Sequence, residues 1–172
     1  MADVLDHLTE EHREVERLLA ALKETDPGSE RDRLFDELRT SLATHMAVEE
    51  RFLYPILAEV EGEDEAADAT DEHELARAGL EEAAKRLEEG AFSAAIDILE
   101  AGIGHHVEEE ESEQFPALRE KAGDRLAALD PETLEEVVES TKTELYERAK
   151  QAGVEGRSTM DDVELAQALS EP

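Results

Sequence analysis

Apolar residues recur every three or four positions along most of the chain, which is the spacing of one buried face on an α-helix. Asp26-Pro27-Gly28 and Gly90 interrupt the pattern, and Ser29 is the expected cap of the second helix. Because short loops make consecutive helices antiparallel, residues 1–122 are predicted to form an all-α, up-down-up-down four-helix bundle. The apolar positions of its helices run from Leu5 to Leu22, Phe35 to Ile56, Ala66 to Leu87 and Ile96 to Ile103.

A further helical pattern follows the bundle. Asp130-Pro131-Glu132 reads as an N-cap with proline at the first helical position, so a helix is expected to run to about Gln151. Residues 153–157 break this helix, and Ser158 or Thr159 is the expected cap of a last short helix through Leu169. Residues 130–170 are therefore predicted to be a small C-terminal helical module.

Two stretches of the predicted bundle repeat each other. A histidine, two glutamates beginning four positions later, an aromatic residue and a proline occur at 45–55 and again at 106–116. Glu11-His12 recurs as Glu72-His73 at the same interval, whereas His7 and His105 fall outside the apolar faces. Six of the repeated residues lie on those faces, where the pattern otherwise places leucine: His12, His45, Glu49, His73, His106 and Glu110.

These six polar residues are expected to meet at one level of the bundle. The interval from His12 to His45 equals that from His73 to His106, so each lone histidine precedes its His-x-x-x-Glu partner by the same length of chain. At about 1.5 Å per residue, the first helix extends roughly 18 Å beyond His12, and the second helix runs roughly 22 Å back to His45. The two histidines therefore lie at a similar height in the bundle. A buried carboxylate without a partner is costly, so something must compensate it. A doubled set of imidazoles and carboxylates predicts a site for two metal ions.

The ligand types narrow the choice of metal. Imidazole and carboxylate without thiolate favour iron, manganese or zinc, and a structural zinc site is closed and four-coordinate, with no need for twofold symmetry. Two iron ions (Fe²⁺/Fe³⁺) are therefore the predicted cofactors, with manganese or zinc as alternatives. The chain has no cysteine, and no serine shares the apolar faces, which argues against a nucleophilic triad.

With these motifs, residues 1–120 resemble the hemerythrin-like HHE cation-binding family, which has a histidine on the first and third helices and His-x-x-x-Glu on the second and fourth. The resemblance implies that the six residues above are the metal ligands. Oxygen-carrying hemerythrins have a second histidine where Arg77 stands, and an aspartate five positions after the histidine of the fourth helix. These two departures favour a resemblance to family members that respond to iron, oxygen or nitric oxide over one to reversible oxygen carriers.

Three functions remain open on the sequence. The first is a protein that binds or senses O₂, NO or iron at a di-iron site, and the second is a di-iron enzyme that removes peroxide or NO. Such an enzyme also needs a proton donor, for which Tyr54 and Glu50 are candidates, although neither falls clearly on the core-facing side. The third is a structural adaptor that serves the C-terminal module.

The net charge of the chain restricts the partners that it can bind and the environment in which we expect it to work. The chain carries 48 acidic and 17 basic residues, a formal net charge of −31, which opposes binding to nucleic acid or to anionic membranes. The C-terminal segment resembles the helix–extended–helix module of Rho-type N-terminal and SAP-like domains, but its acidity favours protein contact over nucleic acid. No apolar run approaches a membrane span. We expect a cytoplasmic protein of a high-salt cytoplasm, where dense counterions screen self-repulsion.

We therefore predict that dilute buffer destabilises the whole fold and that salt restores it. The melting temperature, followed by circular dichroism, should rise as KCl increases from about 0.05 to 2 M, because screening weakens repulsion among the acidic side chains. Bound metal should partly replace salt, because each divalent ion removes negative charge from the centre of the bundle. A melting temperature independent of KCl would contradict the high-salt interpretation.

Overall fold

The computed structural model describes residues 3–153, 156, 160 and 165, and these residues form an all-α fold with no strand among them. It confirms the predicted four-helix bundle, to which a fifth long helix is added. The helices are α1 (Val4–Glu24), α2 (Ser29–Val48), α3 (Tyr54–Val60), α4 (Glu63–Ala84), α5 (Phe92–Glu109), α6 (Phe115–Leu126) and α7 (Pro131–Ala152).

Local signals account for several helix ends. Asp3 and Asp6 form a reciprocal capping box at the start of α1, which the apolar pattern does not reveal. Asp130 caps α7 as predicted, accepting a hydrogen bond from the Thr133 backbone. The predicted cap at Ser29 is wrong, because Ser29 is the first helical residue and Gly28 precedes it with φ of 137°, a conformation that favours glycine.

The second and fourth bundle helices each contain a wider turn that the sequence pattern does not predict. π-helical turns at Glu49–Leu53 and Glu110–Gln114 connect α2 to α3 and α5 to α6. In both, the backbone N–H of the last residue before a proline donates to the carbonyl five positions earlier, Tyr54 to Glu49 and Phe115 to Glu110. Proline lacks an N–H and clashes with the preceding helical turn, so an added residue accommodates it.

The apolar core is divided in two by a polar layer. One cluster contains Leu5, Leu57 and Phe115, and the other contains Leu19, Phe35 and Phe92. Along α1, Leu8 belongs to the first cluster and Val15 to the second, and buried His12 lies between them. The helices therefore bring their repeated polar residues into the middle of the bundle, with packed apolar side chains on either side.

The N-terminal half of α7 packs against the bundle. Leu134 and Val138 are buried in the same apolar cluster as residues of α1, α3 and α6. The helix ends at Gly153, whose φ of 75° is the left-handed conformation typical of a helix C-terminus. The predicted last helix, from Ser158 or Thr159 to Leu169, falls almost wholly outside the described residues. Within the described part of the chain, no helix has the length and apolar character needed to span a bilayer.

Candidate metal centre

Four imidazoles meet in two pairs at the polar layer of the bundle. The Nε2 atoms of His12 on α1 and His45 on α2 are 3.1 Å apart. The same atoms of His73 on α4 and His106 on α5 are also 3.1 Å apart. All four residues are buried, with exposed fractions of 7% or less. Two imidazole nitrogens at this distance can point at one shared ion.

Two glutamates lie between the histidine pairs. The Glu49 carboxylate reaches both pairs, with Oε1 at 3.2 Å from His45 Nε2 and Oε2 at 3.3 Å from His73 Nε2. Glu110 does so through one atom, because its Oε2 is 3.3 Å from His12 Nε2 and 3.5 Å from His106 Nε2. Both glutamates are fully buried. Each carboxylate is therefore placed to be shared by two cation positions.

Three carboxylate oxygens at this centre have no hydrogen-bond donor. Both oxygens of Glu49 and Oε2 of Glu110 are buried, and no residue that the structure describes is aligned to donate to them. A buried carboxylate oxygen without a donor is strongly unfavourable unless a cation satisfies it. Because the neighbouring imidazole nitrogens are themselves potential metal ligands, the donor set fits a pair of metal ions.

A second ring of glutamates holds the histidines from outside. Every Nδ1 atom lies within 2.9 Å of a carboxylate oxygen: His12 with Glu111, His45 with Glu11, His73 with Glu50 and His106 with Glu72. A carboxylate at Nδ1 fixes the ring orientation and leaves Nε2 as the metal-binding nitrogen. All four rings are therefore oriented for metal binding before any ion arrives.

The outer glutamates follow the internal repeat, although their role at the histidines is not predicted from the apolar pattern. Glu72 repeats Glu11, and Glu111 repeats Glu50 at the same interval along the chain. Each glutamate of the second pair contacts the lone histidine of the opposite half. The repeated Glu-His and Glu-Glu dipeptides were the available signal, because a metal-bound histidine usually has a carboxylate or carbonyl partner.

Arginines anchor two of the outer carboxylates. Arg77 donates to Glu50 at 2.8 Å, and Arg13 donates to Glu111. Arg77 is one of the two positions at which this chain departs from the oxygen-carrying pattern. It donates to the glutamate that orients His73.

One aromatic position breaks the twofold symmetry of the centre. Tyr54 and Phe115 occupy equivalent positions in the two repeats, each immediately before a proline. The Phe115 ring stacks on His12 with centroids 5.9 Å apart. Tyr54 adds a hydroxyl that is 2.9 Å from His73 Nε2 and donates to Glu110 Oε1 at 3.3 Å. Tyr54 thus lies at the centre itself, which its position in the sequence did not make clear, and it makes the two cation positions chemically different.

The protonation equilibria of the metal-free centre show how it compensates its buried charge. Burial alone would lower the pKa of His45, but the Glu49 and Glu11 carboxylates hold it well above its ordinary value. Burial would likewise raise the pKa of Glu49, yet the positive charge of His45 keeps it well below the ordinary range. The pKa of Tyr54 is raised well above normal by burial and by the nearby carboxylates. Its hydroxyl therefore keeps its proton at neutral pH.

Among the residues that the structure describes, three groups of side chains are spaced closely enough to hold an ion. Two lie at the buried centre and share Glu49: His12, His45, Glu49 and Glu110 form one, and Glu49, His73 and His106 form the other. The third, formed by Glu72, His105 and Glu109, is on the surface. The structure thus brings the six predicted residues together, while His7 and His105 lie outside the buried centre, near Glu11 and Glu72 respectively.

Comparison with known proteins agrees with this geometry. The family model described as the hemerythrin HHE cation binding domain matches residues 3–118. The chain belongs to this family. Among solved structures, a hemerythrin HHE cation binding domain-containing protein from Mycobacterium kansasii has the same fold, with a TM-score of 0.72 and 24% sequence identity over 98% of this chain and 100% of that one. No curated protein matches the chain.

The outer glutamates of this HHE domain can be tested against a matched neighbour. Glu111→Gln should lower metal affinity by about 10- to 100-fold, because it weakens the hydrogen bond that orients His12. Glu113→Gln is the control, since Glu113 is exposed in the same π-helical turn. Affinity would be measured by competition with a chromophoric chelator. Equal affinities for the two variants would show that the outer ring does not support the centre.

The pKa shifts of His45 and Glu49 also predict opposite pH dependences with and without metal. The raised pKa of His45 stabilises the metal-free fold below its ordinary value of 6.5, and this contribution is lost as pH rises through the folded-state pKa. The lowered pKa of Glu49 stabilises the metal-free fold above its ordinary value of 4.5, and this contribution is lost as pH falls through the folded-state pKa. The metal-free protein should therefore be most stable in mild acid.

Metal binding requires neutral imidazoles, so it competes with protons. We expect the difference in melting temperature between metal-loaded and chelator-treated protein to grow from about pH 5.5 to 8. Differential scanning fluorimetry at constant salt measures both forms. A difference that shrinks with rising pH would show that protons and metal do not compete at the centre.

Proposed function

We propose that this protein holds two iron ions in the bundle core and binds or senses O₂, NO or iron there. His12, His45, Glu49 and Glu110 would hold one ion, and His73, His106 and Glu49 the other, with Glu110 within reach of both. The observation that carries the proposal is the set of buried carboxylate oxygens without a hydrogen-bond donor. Cations supply the missing interaction.

The donor set supports iron over a closed zinc site. Six protein ligands shared between two ions leave coordination positions for an external ligand, which a structural zinc site lacks. Bound iron would supply one-electron redox chemistry and open positions for a small ligand. The chain's own residues orient the imidazoles through the outer glutamates and pack apolar clusters on both sides of the layer.

Tyr54 favours a second candidate function, a di-iron enzyme that removes peroxide or NO. Turnover of such ligands needs a proton donor, and the Tyr54 hydroxyl is buried beside His73 and Glu110. Glu50, the other sequence candidate, is occupied by His73 and Arg77. If the protein turns over peroxide, Tyr54→Phe should reduce the rate while metal content stays unchanged.

Two further proposals concern the C-terminal segment and the cellular environment of the protein. Residues 130–170 are proposed to be a protein-contact module, supported by the resemblance of residues 141–169 to helix–extended–helix modules and by the acidity of this segment. The net charge of −31 supports a high-salt cytoplasm as the environment. Neither proposal is needed for the metal centre, because its ligands come from α1, α2, α4, α5 and the two π-helical turns.

The decisive experiment is metal analysis after anaerobic purification, followed by optical spectroscopy on addition of O₂. The protein should hold about two metal ions per chain, mainly iron. Glu49→Ala or Glu110→Ala should lose at least one ion, because each carboxylate lies between the two histidine pairs. Retention of both ions in both variants would exclude the proposed ligand set.

Histidine variants provide the internal control. Chelation should lower the melting temperature of the wild type, because metal binds the folded state and not the unfolded chain. His73→Ala should lose most of this effect, whereas His7→Ala and His105→Ala should retain it. Similar losses in all three variants would mean that histidines outside the buried centre also bind the stabilising metal.

A further inference from the structure

A cavity of about 460 Å³ lies between α4 and α5 and ends at the four imidazoles of the metal centre. A water molecule occupies about 30 Å³ in the liquid, so the cavity is much larger than a site for one or two atoms. Small-molecule sites in proteins span roughly 300 to 1,000 Å³. The cavity is therefore large enough for an organic molecule that reaches from the surface to the centre.

The inner wall of the cavity is hydrocarbon. Besides the imidazoles, it is lined at depth by Val15, Leu42, Met46, Leu99 and Ile103, which belong to one of the two apolar clusters. No lysine or arginine is among the described residues that line it. Along this aliphatic wall a charged ligand group would lose its hydration without gaining a partner. This wall favours an aliphatic chain.

Small residues on the facing helices leave the space. A Cβ atom at Gly79 would meet Leu99 Cδ1 at 3.0 Å, so glycine allows α4 and α5 to approach closely at that point. At Gly102, in contrast, an added Cβ would meet no atom within 4 Å. Because Gly102 lines the cavity, a larger side chain there would narrow it.

The mouth combines exposed apolar side chains with acidic ones. Leu75 and Ile98 are 72% and 75% exposed, and they are the large hydrophobic residues most exposed among those described. Glu72 and Glu109 flank His105 beside them, with carboxylate oxygens 3.6 and 3.3 Å from its Nε2. An apolar molecule would cover Leu75 and Ile98 on entry, whereas an anion would meet carboxylates.

We propose that this cavity binds an uncharged molecule with a hydrocarbon chain, such as a long-chain alcohol, as a ligand additional to the metal-bound one. The chain lies against the aliphatic wall, and its neutral polar end points toward the imidazoles. Binding of the chain requires no metal. Only the orientation of the polar end rests on the proposed metal centre.

The test uses the full-length chain in molar KCl, both metal-loaded and treated with chelator. The neutral fluorophore N-phenylnaphthylamine is titrated first and then displaced with decanol or with decanoate, which have the same chain length. Decanol should displace the probe at a concentration at least about tenfold lower than decanoate in the chelator-treated protein, where no metal ion is present to bind the carboxylate. Equal displacement by the two would overturn the assignment to an uncharged ligand.

Two glycines of α5 provide a matched pair of variants. Gly102 lines the cavity and Gly104 does not, yet an added Cβ is free of contacts at both. Leucine favours the helix over glycine at either position, so both variants should fold. Gly102→Leu should weaken probe binding by about tenfold or more, while Gly104→Leu should leave it within about twofold of wild type.

A second blocking variant and a metal assay complete the design. Ala76→Leu narrows the cavity from α4 and should act like Gly102→Leu. Equal probe binding by the Gly102 and Gly104 variants, or no saturable binding by the wild type, would overturn the proposal and leave the cavity as a passage for diatomic ligands. Metal content measured on the same samples separates this result from failure of the proposed metal function, because probe binding is also measured without metal.

Discussion

The structure depends on the compensation of two carboxylates buried in a helical core. Glu49 and Glu110 are fully buried, and three of their four oxygens lack a hydrogen-bond donor among the described residues. Positive charge must offset this desolvation. Without metal, protonated imidazole supplies it, as the raised pKa values of His45 and His73 indicate. With metal, the same imidazoles become neutral ligands. The polar layer that divides the apolar core is therefore stabilised by positive charge in either case, on the imidazoles without metal and on the ions with it.

The twofold repeat supplies matching residues to both halves of the centre, and one difference between the repeats makes the centre asymmetric. Equivalent positions of the two repeats supply the shared carboxylates, the imidazoles and the outer glutamates. The hydrogen bonds of Glu50 with His73 and of Glu111 with His12 link one half of the bundle to the other. Tyr54 and Phe115 break the equivalence, because only Tyr54 carries a hydroxyl. The centre therefore carries a hydroxyl on the side of Tyr54 and a hydrocarbon ring at the equivalent position of the other repeat.

The cavity follows from the same arrangement of layers. The α4–α5 side of the centre includes the small residues Ala76, Gly79 and Gly102, and the neighbouring apolar cluster continues along its wall. Leu134 and Val138 of α7 add to the opposite apolar cluster. The cavity therefore reaches the imidazoles from the α4–α5 side.

The sequence alone determined the helical class, the bundle and the six residues that meet at its middle, because helical periodicity and the equal spacings within and between the two repeats constrain position along each helix. It did not predict the two π-helical turns, because a turn with i→i−5 hydrogen bonds contains the same residue types as an ordinary helical turn. Nor did it show that the Glu11, Glu50, Glu72 and Glu111 carboxylates face the histidines or that Tyr54 faces the centre. Those contacts join helices far apart in the chain, and only the tertiary packing, which sets the rotation of each helix about its axis, decided them.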